Sequence, residues 1–452
     1  MSLPDGEEAK MVLPSNLVIH ETKPLDMSIQ TTTEACYRPN TNYNTGDGDI
    51  RFKVPGNEEE YFNPALTYLE FGLQVTGVGN AALADGTVFG IINQAAQAAF
   101  QTVTVILGNQ MVSQDHYYPY RAYLAALTGY TQEALESHQA MALWHKDTAE
   151  RMDLHVNVAN NGGNTGMIQR STKFAQSAII PCRIHLECDL FSLDKFIPNL
   201  VDLEIILTRS RAQFMIMAPE PGAAAQDERE FHIHIHDPVL WVTKIKPFPT
   251  IAMMHVELTS RKPVRYDLPR MVIRPIPLPF NTTVGNLDNV TSGKLPKRIW
   301  YAFVRSDAFD GHYNYNPFNF QHLGLLQTSI NVNGTSYPAN PLKVTYTGNN
   351  ANWTRAYSAL FSALNIYHGN RGIPIKISEF PHGFCIYGFD ITPNHRAAAS
   401  SIKTLDKQGT IRIDYHLSAA PGNVPFHCIV WAEYNNVLEI DENKNVFVNY
   451  PM

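Results

Sequence analysis

The feature that most constrains this chain is a period-two alternation of apolar and polar residues, in short runs that recur along its length. In LTYLEFGLQVT, Leu69, Phe71, Leu73 and Val75 alternate with Glu70, Gly72 and Gln74. In QTVTVIL, Val103, Val105 and Leu107 alternate with Thr102 and Thr104 before Gly108-Asn109-Gln110 breaks the pattern as a turn. Successive strand residues face opposite sides of a sheet, so each run predicts a strand with one buried face. The same reading applies to Leu203, Ile205 and Leu207 in VDLEIILT. It applies again to TIRIDYHL, where Ile411, Ile413 and Tyr415 oppose Arg412, Asp414 and His416. CIVWAEY follows as a more continuous apolar run.

Composition agrees. Hydrophobic residues make up 44% of the chain and charged residues 17%, the reverse of a disordered sequence. The 29 prolines and 27 glycines punctuate the runs as turns, and 21 tyrosines and 22 phenylalanines favour strands. The predicted class is all-β, with two β-sandwich domains in 452 residues. Periodicity alone does not separate sandwiches from jelly rolls. Residues 118–146 differ: they are rich in Ala and Leu and predict one or two inserted helices, with Thr131 as an N-cap and Glu133 in the first turn.

Residues 1–30 are polar overall and aperiodic, and read as an N-terminal arm. The stretch APEPGAAAQDERE has linker composition. The expected division is therefore an arm at 1–30, a first sandwich at 31–217, a linker at 218–230 and a second sandwich at 231–452. No residue-level repeat links the halves.

The net charge of −7 excludes a general nucleic-acid binder, which would carry a basic stripe. No sequence-specific nucleic-acid binding is expected. No apolar run approaches the roughly 20 residues of a membrane-spanning helix, and no signal peptide opens the chain. Cys36, Cys182, Cys188, Cys385 and Cys428 are odd in number and irregularly spaced, which predicts reduced thiols. The sequons at Asn281, Asn289, Asn333 and Asn352 then read as chance matches.

Four constellations bear on chemistry. His232, His234 and His236 share one face of a predicted strand, followed by Asp237. Three imidazoles on one face suggest a metal site of the cupin type, a row at a subunit contact sensitive to pH, or a solvated face with Phe231, Ile233 and Ile235 turned inward. Consecutive same-face residues lie about 6–7 Å apart, an awkward spacing for three ligands from one strand. No cofactor is expected. Asp147 and Glu150 beside His145 can be drawn as an acid–base set but read as a solvated helix end. The basic residues Lys297 and Arg298, and Arg261, Lys262, Arg265 and Arg270, suit a surface or subunit contact. In HYNYNPFNFQH, Tyr313, Tyr315, Phe318 and Phe320 alternate with Asn. Aromatics in a loop fill a core or a protein–protein interface; the interface is the expectation. Neither a phosphate-binding glycine loop nor a nucleophile elbow is present.

Longer segments carry a resemblance. They are YPYRAYL, LWHKDTAE, GMIQRSTKFAQS and HLECDLFSLDKFIPNLVDLEIILTRSRAQFMIM in the first half. In the second half they are YDLPRMVIRPIPLP, GKLPKRIWYAFVRSDAFDGHYNYNPFNFQHLGL, VNGTSYP, RAYSALF, GFDITP, KQGTIRIDYHL and EYNNVLEIDENKNVFVNY. In this order the chain resembles, from about Leu66 to Asn449, the hexon-like double jelly-roll major capsid proteins of Maverick/Polinton-type elements and adintoviruses.

The resemblance implies two consecutive eight-stranded jelly rolls with short helical insertions and no enzymatic activity. It implies homotrimeric, pseudo-hexagonal capsomers tiling an icosahedral shell around double-stranded DNA. The implied partners are other copies of the chain, a penton-type single jelly-roll vertex protein and minor cement proteins; the implied location is the virion. The arm would then run beneath the shell and tie neighbouring capsomers. The competing expectation is a cupin-like metal-dependent enzyme built on His232, His234 and His236.

Overall fold

The computed structural model describes residues 25–41, 48–154, 163–219, 230–398 and 404–448. The arm expected at 1–30 therefore lies mostly outside the described residues.

Among the described residues, two sandwiches each rest on eight principal strands. The first contains β1 (Ile29–Tyr37), β2 (Ile50–Val54), β3 (Tyr61–Thr76), β4 (Phe100–Leu107), β5 (Gln110–Asp115), β6 (Ile180–Ile184), β7 (Leu203–Arg209) and β8 (His232–Pro247). Its sheets run β1-β8-β3-β6 and β2-β7-β4-β5, with antiparallel neighbours.

The second contains β9 (Val264–Pro277), β10 (Val284–Lys294), β11 (Arg298–Arg305), β12 (Leu325–Val332), β13 (Thr335–Lys343), β14 (Ile386–Asp390), β15 (Gln408–Leu417) and β16 (Phe426–Ile440). Its sheets run β9-β16-β11-β14, with the short strand Val446–Val448 also paired to β16, and β10-β15-β12-β13. Each strand of the first sandwich thus has its counterpart eight strands later. This is the jelly-roll connectivity, used twice, and the repeat absent from the residues is present in the topology.

The alternation read from the sequence sets which face is buried. Leu69, Leu73 and Val75 are fully buried, whereas Glu70, Gly72 and Gln74 are only partly so. Ile411 and Ile413 are buried and His416 is exposed. The continuous run from Cys428 to Tyr434 is buried throughout because β16 is an inner strand, paired to β9 and β11, and its outer side is covered as well. Asn333 and Gly334 turn β12 into β13 with φ of 50° and 87°, the left-handed conformations that an Asn-Gly hairpin supplies cheaply.

The domain boundary differs from the expectation. The strand that begins at His232 does not open the second sandwich; it closes the first, pairing with β1 on one side and β3 on the other. A jelly roll is completed only when its last strand inserts beside its first, so the stretch 218–230 precedes the closing strand of the first sandwich and does not divide the two sandwiches. Residues 220–229 themselves lie outside the described residues. The chain passes between sandwiches through a helix instead.

Among the described residues, four helices of nine residues or more decorate the sandwiches: α1 (Tyr118–Gly129), α2 (Thr165–Lys173), α3 (Pro249–Arg261) and α4 (Thr354–Ala363). Thr131 caps the next short helix as expected, accepting from the Ala134 amide at 3.4 Å. Helix α4 lies on β14, where a Cβ on Gly388 would come within 2.8 Å of the Trp300 ring and 3.3 Å of Ala363. Helix α3 joins β8 to β9, and none of its residues is buried. No helix among the described residues is long and apolar enough to cross a membrane.

Candidate functional site: the seam between the jelly rolls

The sequence-predicted sites fall into two places. The first is the seam, where the insertion between β5 and β6 meets the loop after β11.

Phe318 and Phe320 are fully buried there. Phe318 stacks on Tyr123 of α1 with centroids 4.1 Å apart, and meets Tyr120 edge-on at 5.7 Å. Phe320 meets Trp431 of β16 edge-on at 5.8 Å. The Trp431 indole N–H donates to the Tyr120 carbonyl at 3.2 Å. Tyr313 and Tyr315 are half-buried; Tyr313 lies 5.9 Å from Phe231, and Arg305 sits 3.8 Å over the Tyr315 ring. The expectation that this segment forms a subunit interface is therefore corrected for Phe318 and Phe320. They are spent inside the chain, because α1 supplies a ring-lined socket that the strand pattern does not reveal. Burial of each ring contributes roughly 1.5–3 kcal/mol.

A buried polar network lies behind the rings. Asp147 and Arg170 are both fully buried and paired at 2.5 Å. Asp147 also accepts from Asn164 at 2.9 Å and from Asn316 at 3.3 Å. Arg170 donates to the carbonyls of Ile91 and His145. Asp153 accepts from the Asn316 amide at 2.8 Å and from Asn319 at 2.7 Å, while burial raises its carboxyl above the usual range. Lys146 pairs with Glu379 across the same seam. Helix α2 approaches the Lys146 carbonyl so closely at Gly166 that any Cβ would clash.

Asp147 is thus no solvated helix end, and its lone pairs are occupied by Arg170 and two asparagines. Glu150 is the exposed member, 3.0 Å from His382 of the second sandwich. His145 is half-buried, and burial lowers its pKa. Asp147 and Glu150 instead fasten one jelly roll to the other, through Asn316 and His382.

A cleft along the seam is walled by Arg121, Tyr130, Glu187, Arg298, Trp300 and Arg371. Its charges are mostly satisfied from within. Arg121 binds Asp115 at 2.8 Å and Asp189 at 2.6 Å, and Tyr130 donates to Glu187 at 3.0 Å. Lys297 and Arg298 clasp Glu433, so their basic pair is structural rather than a surface patch. Burial alone would raise the Glu433 carboxyl, yet the two cations outweigh it and its pKa is lowered.

The second place is the histidine row on β8. The three rings follow one another at centroid spacings of 6.4 and 6.3 Å, and each is only half-buried. Each Nε2 is engaged separately: His232 with Glu230 at 2.9 Å, His234 with Thr76 at 2.8 Å and His236 with Gln74 at 2.8 Å. The last two are β3 neighbours, positioned by the antiparallel register. The rings lie along the strand instead of around a point, and the described residues hold no cluster of three metal-ligating side chains. A cupin-type site needs converging nitrogens and a further ligand, and this geometry does not supply them. Burial and the neighbouring imidazoles lower the pKa of His234. Of the five cysteines, Cys36 is exposed and the other four are buried; all are free thiols.

Comparison with known proteins fits this architecture. No protein-family model matches the chain. An uncharacterised protein of Caenorhabditis elegans is 21% identical over 417 residues, covering 89% of this chain and 94% of its own length. Among solved structures, that of the Sputnik virophage superposes with a TM-score of 0.63 at 10% identity, covering 98% of this chain and 94% of the matched one. The PBCV-1 virus capsid gives 0.60 at 11% identity, with 96% and 100% covered. The mavirus major capsid protein gives 0.52 at 11% identity, with 100% and 97% covered. At such identities the likeness is one of fold, and it spans both sandwiches and the seam. The chain has the double jelly-roll fold found in viral major capsid proteins.

Proposed function

We infer that the chain is a major capsid protein, a structural subunit and not an enzyme. The observation that carries this is the duplicated strand order joined by a packed seam, matched end to end by the mavirus major capsid protein. Two jelly rolls of one connectivity, locked in one chain, give a trimer six similar lobes. Such a trimer presents pseudo-sixfold edges that can tile a closed shell, using the cyclic symmetry most oligomers adopt. Hinged lobes would not hold that outline; the buried ion pair and stacked rings of the seam oppose hinging.

In this reading the capsomers pave an icosahedral virion shell around a double-stranded DNA genome. A penton-type single jelly-roll protein fills the vertices, and minor cement proteins reinforce the shell. The ordered sequence segments favour a Maverick/Polinton-type or adintovirus origin. The mild negative charge fits a shell that encloses nucleic acid without gripping it.

Negative-stain microscopy with light scattering tests the reading. A particle of three times 50.7 kDa with a hexagonal outline, or sheets and shells of such particles, is the expected result. Monomer alone across a wide range of concentration and salt would overturn it.

A further inference from the structure

Helix α3 has no buried residue. Met253 is 73% exposed, Met254 46%, Val256 63% and Leu258 53%. One side of the helix rests on the first sandwich through His255, which stacks on Tyr61 at 5.8 Å and bonds its hydroxyl at 3.1 Å. The remaining faces present four large apolar side chains, with Glu257 and Arg261 paired among them. A helix of that composition is stable in water when something covers it.

The chain itself brings a candidate to the spot. Ile29 pairs with Pro247, and the Phe248 amide donates to the Ser28 carbonyl at 3.1 Å, so the segment that precedes β1 leaves the sandwich at the first turn of α3. Leu25 and Met27 continue outward with 81% and 58% exposure. A further 24 residues precede Leu25, and they include the apolar triplet Leu17-Val18-Ile19 and, beyond Pro14-Ser15-Asn16, a second triplet Met11-Val12-Leu13. Five residues lie between Ile19 and Leu25, and the six steps can reach at most about 20 Å. Thirteen helical residues also span about 20 Å. The triplets can therefore lie along α3 without strain.

We propose that Met11–Ile19 of the same chain docks on the exposed apolar face of α3, with Leu17, Val18 and Ile19 against Met254 and Leu258. The docked arm covers the connector between the two jelly rolls, and its removal bares a hydrophobic strip on every subunit. This does not depend on the capsid reading, since it concerns one chain in solution. It does change the part expected for the arm: a segment folded back on its own connector is not free to tie a neighbouring capsomer until it is released.

The test uses the full chain with Cys36→Ser, to remove the exposed thiol, and with Val18→Cys and Leu258→Cys. Mild oxidation is expected to give an intrachain disulfide, seen as one chain of altered mobility on a non-reducing gel and confirmed by peptide mass. A disulfide that joins two chains would overturn the proposal in favour of a second copy as occupant, and the absence of any disulfide would overturn it outright. In a second variant, Leu17→Asp with Ile19→Asp, amide hydrogen exchange across residues 253–261 is expected to quicken at least tenfold while the sandwich strands keep their protection. Exchange unchanged from the parent chain would count against the proposal equally.

Discussion

Phe318 and Tyr123 lie 4.1 Å apart with their ring planes 8° from parallel, and they belong to different jelly rolls. One sits in the loop after β11, the other on α1 within the first sandwich. The contact therefore ties the relative placement of the two halves to the packing of a single aromatic pair.

Phe318→Ala should cost about 3–5 kcal/mol, the usual penalty for truncating a buried phenylalanine. Chemical denaturation is expected to show a lower midpoint and a loss of the single cooperative transition as the halves begin to melt separately. A variant that melted like the parent would mean the seam contributes nothing to coupling.

Arg170→Met should be as severe, about 3–5 kcal/mol, because it leaves the Asp147 carboxylate buried without its cation. Pairing it with Asp147→Asn should recover part of the loss, since no charge is then stranded. The double-variant cycle, read by denaturant midpoints, checks the coupling.

Within the histidine row, His234 makes stability depend on pH in one direction. Burial and the adjacent imidazoles hold His234 below its ordinary value of 6.5. The unfolded chain therefore takes the proton first as pH falls. The stability this neutral ring contributes is intact above 6.5 and is lost progressively below it, down to the folded value. His234→Gln should flatten the drop in Tm between pH 7.5 and 5.5 relative to the parent; an identical drop in both would refute the assignment.

Because the three Nε2 atoms are each engaged with Glu230, Thr76 or Gln74, metal should be irrelevant to the fold. Chelator-treated and zinc-supplemented protein are expected to melt at the same temperature. A zinc-dependent rise that His234→Ala abolishes would restore the cupin-like reading.

Much of this molecule was legible in its residues, for a physical reason. Strand alternation is a local property, fixed by which side chains can be buried on one face. Leu69 to Val75, Leu203 to Leu207 and Ile411 to Tyr415 therefore declared their strands and their buried sides. The Thr131 cap and the Asn333-Gly334 turn are equally local. Pairing is not local. That His232 to Pro247 inserts between β1 and β3, whose strands come far earlier in the chain, follows from closing the sandwich, and the loop-like composition at 218–230 pointed to the wrong boundary. The seam was hidden for the same reason. Asp147, Arg170 and Asn316 look like scattered polar residues, and Phe318 and Phe320 look like a surface loop, until the tertiary structure brings α1, α2 and the loop after β11 to one place. The sequence by itself determined the strands, their faces and the all-β class. Only the tertiary structure decided where one jelly roll ends and which polar and aromatic residues bind it to the next, because those contacts join residues that no periodicity relates.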